Sequence, residues 1–131
     1  MSGKTSVNPF SWHYADDQGV LVQSPTSWLF VSGQTAMSDE GEPQHPGDLR
    51  AQTELSLANV KTVLRAAGMS LADVVQLNTH VLDVDRFRVE AADVFEREFT
   101  AAGVSPPGVL SQVVKLGHPA LVVEIDAIAV R

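Results

Sequence analysis

The chain of 131 residues contains no cysteine, which excludes disulfides, thiolate metal sites and a cysteine nucleophile. It has no apolar run approaching the roughly 20 residues that span a bilayer, and the opening MSGKTSVNPFSWHY lacks the apolar stretch of a secretory signal. These absences set the expectation of a soluble, cytoplasmic protein with no membrane partner. Basic residues are scarce, 9 Lys and Arg against 16 Asp and Glu, for a formal charge of −7. Phosphate backbones are bound mainly through clustered Lys and Arg, so no nucleic acid is expected as a partner. There is no Gly-rich phosphate loop. The serine of SGQT does not sit in the G-x-S-x-G turn that activates a nucleophile. His13, His45, His80 and His118 are too scattered to make a local metal signature. Neither a metal nor a cofactor is expected.

No repeat or linker divides the chain, and the expectation is one domain over residues 1–131. QGVLVQ and WLFVSGQ, separated by turn residues, predict a β-hairpin. The stretch at residues 37 to 48, MSDEGEPQHPGD, predicts a surface loop. A helix is expected to follow, capped by Asp48 and stopped at Gly68, with Leu57, Val60, Leu64 and Ala67 on one face. VVQLNTHVL alternates as a strand, with Gln76, Asn78 and His80 on its wetter side. A second helix from about Asp85 to Ala102 carries the stripe Phe87, Ala91, Phe95, Phe99 and Ala102, and two strands, VLSQVVKL and LVVEIDAIAV, close the chain. The aromatic group FSWHY near the start is expected as a packed N-terminal arm.

The order ββ-α-β-α-ββ is an α+β layout in which both helices cover one face of a mixed sheet. The last strand is apolar on both sides, with Leu121, Val123, Ile125, Ala127 and Ala129 on one and Val122, Ile128 and Val130 on the other. A face this apolar calls for cover from another chain. Glu124 and Asp126 interrupt that second side, two residues apart and hence roughly 6.5 to 7 Å apart along one face. Such a pair reads first as a solvated rim or an ion pair, and as two carboxylates aimed into one cavity only with further support.

The runs WLFVSGQTAM, VLRAAGMSLADVVQLNTHVLDVDRF, SPPG and VEIDAIAV, in that order from about Gln18 to Arg131, resemble the Rid family, the reactive intermediate deaminases also called YjgF-like. The resemblance implies a homotrimer of chorismate-mutase-like subunits whose sheets form a central barrel, with small-molecule clefts between neighbours. It implies hydrolysis of enamines and imines such as 2-aminoacrylate, without cofactor or metal. In that pattern an arginine holds the substrate carboxylate and a strand glutamate handles the water. The glutamate matches Glu124, the catalytic candidate; the following acid matches Asp126, and the serine of SGQ matches Ser32. The arginine falls on Gly108 or Val109, followed by Leu110. The family's tyrosine falls on Asp16 and its asparagine on Ala91 or Ala92. Ser32, Asp16, Gly108, Val109, Leu110 and Ala92 are thus the expected ligand contacts. Neither Gly nor Val offers the charged fork that suits a carboxylate, so the expected substrate lacks one. The competing readings are a ligand-binding or regulatory trimer without chemistry and, from family reports alone, a ribonuclease, translation inhibitor or chaperone-like protein.

Overall fold

The computed structural model describes residues 3–131. Strands β1 (Gly3–Val7), β2 (Gly19–Gln23) and β3 (Trp28–Gln34) precede helix α1 (Leu49–Ala66). A 3-10 turn at Leu71–Asp73 leads into β4 (Val74–Val81), then α2 (Val84–Glu90), α3 (Ala92–Ala102), β5 (Leu110–Gln112) and β6 (Val123–Val130). The main sheet runs β3-β6-β4-β5, with β5 parallel to β4 and the other pairs antiparallel.

The expected hairpin does not form. β2 pairs with β1, an exposed polar strand whose residues carry no apolar signal, and β3 pairs with β6. The cause is the turn between β2 and β3. Thr26 and Ser27 donate their amide N–H groups to the Arg131 carbonyl, and Arg131 N–H donates back to Ser27. Arg131, just past the last strand, thereby takes the place a hairpin partner would have held. Residues 37 to 48 do form the expected loop, pinned by one bridge between Met37 and Pro43.

Helix α1 starts where Asp48 accepts the Ala51 N–H and ends before Gly68, whose φ of 75° suits the left-handed turn that glycine tolerates. Ala67 lies beyond the last helical residue and is exposed. The expected second helix is two helices, broken at Ala91, whose φ of −140° leaves the helical region. Arg50 of α1 meets the break from outside. It donates to the Glu90 carbonyl at 3.2 Å and to both carboxylate oxygens of Asp93 at 2.7 and 2.9 Å. The first of these bonds serves a carbonyl at the end of α2, where intrahelical partners run out. The hydrogen bonds to the Arg50 guanidinium hold the Asp93 carboxyl below the usual range. The last-but-one strand keeps only three of the eight expected residues, and Val114 beyond it is exposed.

All the helices pack on one face of the sheet. Leu57, Val60 and Leu64 of α1, together with Phe87, Val94 and Phe99, bury against Val31, Val81, Val123, Ile125, Ala127 and Ala129. Each fully buried Val, Leu, Ile or Phe side chain contributes about 1.5 to 3 kcal/mol. The alternation read from the last strand therefore holds on its covered side. The other sheet face lies open in the chain, with Trp28 54% and Phe30 68% exposed. The N-terminal aromatics correct one expectation. Phe10 stacks on Trp12 with centroids 4.6 Å apart, and Tyr14 meets Trp12 edge-on at 6.4 Å, but all three stay exposed rather than packed as an arm.

Candidate functional site

The candidate residues fall into two groups on opposite faces of the sheet. Asp16, Ala92, Gly108, Val109 and Leu110 meet on the helix side, around a cavity of about 290 Å³ at the β4–β5 edge. The segment 107–109 is laid along β4 by bonds from Leu77 N–H to the Pro107 carbonyl and from Thr79 N–H to the Val109 carbonyl. Between them Gly108 passes so close to β4 that a Cβ would stand 1.6 Å from the Leu77 carbonyl oxygen. No side chain fits there, so of the two positions considered for an arginine only Val109 has room for one. The charged side chains lining this cavity are acidic, Asp16 and Glu96. Partial burial, and secondly the neighbouring Asp17, push the Asp16 carboxyl above its ordinary range.

Glu124 and Ser32 lie elsewhere. Ser32 and Gly33 form a bulge in β3, where three steps from Val31 to Gln34 match two steps from Ala127 to Ile125 on β6. Bulges of this kind re-aim side chains beside functional sites. Here the bulge makes room for a carboxylate. The Glu124 carboxyl lies over Gly33 so closely that a Cβ would stand 2.8 Å from its Cδ. Glu124 is half-buried and joins none of the ion pairs among the described residues.

Across the open face, cross-strand register puts His80 opposite Glu124, Asn78 opposite Asp126, and Ser111 beside His80. Asp126 is bound within its own chain. It accepts from Asn78 Nδ2 at 2.9 Å and pairs with His80 Nε2 at 3.0 Å, while His80 Nδ1 lies 3.0 Å from Ser111 Oγ. Asn78 Oδ1 in turn accepts the Val109 N–H at 3.1 Å. The row Glu124, His80, Ser111 therefore crosses β6, β4 and β5, with Ser32 in the neighbouring β3 bulge and an acid and an amide bracing the row from the next one. Sequence reasoning placed Asn78 and His80 on a wet strand face but gave them no task. It missed Ser111 because only the parallel pairing of β5 on β4 brings that hydroxyl to the imidazole. Among the described residues no group of three His, Asp or Glu side chains stands close enough to hold a metal ion.

Comparison with known proteins agrees with this architecture. The family described as Endoribonuclease L-PSP matches residues 17–131. The 2-iminobutanoate/2-iminopropanoate deaminase of Escherichia coli is 34% identical over 104 residues, 79% of each chain. Among solved structures, the Rid-family protein YyfB of Yersinia pestis, described as of unknown function, superposes with a TM-score of 0.85 at 30% identity, over 98% of both chains. Escherichia coli TdcF, solved with bound serine, superposes with a TM-score of 0.71 at 30% identity, over 96% of this chain and 93% of its own.

Proposed function

Because the chain belongs to the Rid (YjgF/YER057c/UK114) family, we propose that it is a cofactor-independent hydrolase of small enamines or imines that carry no carboxylate. Glu124 supplies its acid/base group, and the chain works as a homotrimer. What supports the chemistry is the Glu124 carboxyl itself: half-buried, bound in no ion pair among the described residues and facing a surface that a neighbouring subunit would cover. A carboxylate so placed can take a proton from water and return it to a leaving amine.

The substrate class follows from the helix-side cavity. Gly108 has no space for a side chain, Val109 offers no donor, and Asp16 and Glu96 make the lining negative. An anionic substrate would meet repulsion and no charged fork. A neutral or cationic imine would not. What supports an assembly of copies, which we take as the family's homotrimer, is the division of the candidates between two faces. One chain's Glu124 and Ser32 point away from its own Asp16, Ala92, Val109 and Leu110, so a shared cleft needs both faces from neighbouring copies.

The test is ammonia release across a panel of amine-derived imines, with 2-aminoacrylate as the carboxylate-bearing control. A neutral imine should be turned over well and 2-aminoacrylate poorly, by roughly one to two orders of magnitude for the missing charged bond. Glu124→Gln should then lower turnover by about two to four orders of magnitude with the assembly intact. Turnover of no imine would favour the ligand-binding trimer, which the absent arginine also suits.

A further inference from the structure

We propose that the helix-side cavity takes an amine-derived imine in its protonated form, seating a short apolar body inside and holding the cationic nitrogen at the mouth between Asp16, Glu96 and a neighbouring copy's Glu124. That the occupant is an imine rests on the hydrolase reading; its apolar body and positive charge are argued from the cavity. The body is read from the walls. Phe87 and Phe99, 3% and 5% exposed, flank the partly buried Phe95 with ring centroids 5.6 and 6.4 Å apart, and Leu77 and Val104 extend the apolar lining. At about 290 Å³ the space lies at the small end of ligand pockets, roughly 300 to 1,000 Å³. One polar side chain lies among these walls. Thr79 stands between Asn78 and His80 on β4, which face the open side, so its own side chain faces the helices. It is 4% exposed, lines the cavity, and its hydroxyl makes no hydrogen bond among the described residues. A buried hydroxyl without a partner in its own chain calls for a polar one inside the cavity.

The charge is read at the mouth. Asp16 and Glu96 are exposed, line the same cavity and join none of the ion pairs among the described residues. A neighbouring copy does not neutralise them. The face it would present is made by β3, β4, β5 and β6, and none of these strands contains a lysine or an arginine. What it brings is Glu124, a third carboxylate. Carboxylates gathered without a cation disfavour one another's ionised form, and a bound positive charge relieves that cost. Asp16 already carries the cost within one chain, its carboxyl held above the ordinary range by partial burial and by Asp17. The aromatic walls favour an organic cation over a metal ion, since a ring face attracts an ammonium whereas hard metal ions take oxygen ligands on all sides.

Holding the imine protonated also prepares it for water, because the positive charge makes the imine carbon the electrophile. Water adds to that carbon as Glu124 takes its proton and the C=N electron pair moves to nitrogen. Glu124 then gives the proton to nitrogen, the C–N bond breaks, and the hydroxyl proton leaves with the ammonia as the carbonyl forms. The balance is R–CH=NH2+ and water in, R–CHO and NH4+ out, with R an apolar group.

Hexylammonium is the direct probe, because it carries the charge and the apolar body but no reactive carbon. Titration calorimetry of the full chain, in its native assembly, should give one site per chain. Ethylammonium should bind at least about tenfold more weakly for want of the buried methylenes, hexanol should bind about tenfold more weakly for want of the charge, and hexanoate should not bind. Asp16→Asn and Glu96→Gln should each weaken hexylammonium about three- to tenfold and leave hexanol unchanged. Asp39→Asn, which removes an exposed acid from the 37–48 loop, should change neither. Equal binding of ethylammonium or of hexanol, displacement of hexylammonium by an equal concentration of calcium, or indifference to both cavity variants would overturn the proposal. Calorimetry reads the cavity and ammonia release reads Glu124. Binding of hexylammonium with hydrolysis of no imine would refute the hydrolase reading and leave the cavity's preference standing; hydrolysis of imines without binding of hexylammonium would refute this proposal alone.

Discussion

At Gly108 the chain leaves no room for a Cβ, which would overlap the Leu77 carbonyl oxygen. The obstruction is backbone, so Gly108→Ala must push β5 off β4, breaking the bonds that Leu77 and Thr79 make to residues 107 and 109. A loss of about 3 kcal/mol is expected from overpacking at such a site, read as a lower midpoint in urea unfolding. Nothing in SPPG announces this. The glycine is legible as a turn residue, but the carbonyl it leans on lies on a strand about 30 residues earlier. Asp16 makes a second case, with a pH signature. Its folded carboxyl sits above its unfolded value, through burial first and Asp17 second, so the ionised form is penalised in the fold. The penalty is complete at neutral pH and vanishes once the pH falls below the unfolded value, where both states are protonated. Asp16→Asn should therefore raise the melting temperature at neutral pH, and the gain should shrink to nothing through the acidic range. Paired melts at neutral pH and below pH 4 check it.

At the scale of the element, α1 shows what periodicity reveals and what it hides. Its cap, its stop and the stripe of Leu57, Val60 and Leu64 can be read directly. Yet Gln52, Thr53 and Ser56 are as buried as the leucines. Gln52 donates Nε2 toward the carbonyls of Gln44, His45 and Ala120 and accepts the Val122 N–H on Oε1 at 2.9 Å. One side chain thus ties the acidic loop to the start of β6. Those partners are backbone groups scattered over about 80 residues, so no local pattern could show that a polar residue belongs inside. Gln52→Leu should cost about 3 kcal/mol, because it leaves a buried N–H and several carbonyls unpaired. Thermal unfolding of the variant measures it. The break at Ala91 was hidden for a similar reason. The apolar stripe runs on through it unchanged, and the group that stabilises it, Arg50, sits on another helix.

The whole molecule has one finished face and one unfinished one. On the unfinished face Trp28 and Phe30 stack with centroids 6.3 Å apart, beside Ile128 and next to the polar row of Glu124, His80 and Ser111. Contiguous exposed apolar surface of this kind marks an interaction site. Size-exclusion chromatography with light scattering should give three chain masses, and Phe30→Glu should shift the protein toward one chain mass while circular dichroism stays native. A wild-type single chain would remove both the trimer and the shared cleft. This face was legible in the last strand, where apolar residues stand on both sides; its aromatic half was not, because β3 read as the arm of a hairpin rather than the neighbour of β6.

The position of β6 also governs the order in which the molecule can be made. Strands β3 and β4 do not pair with each other; β6, the last of the described strands, lies between them and pairs with both. During synthesis both wait as open edges, with the aromatics of β3 uncovered, until Val123–Val130 has emerged. Such edges invite pairing with other nascent chains. A chain cut before that stretch would lack the strand that joins β3 to β4, and the main sheet could not be completed.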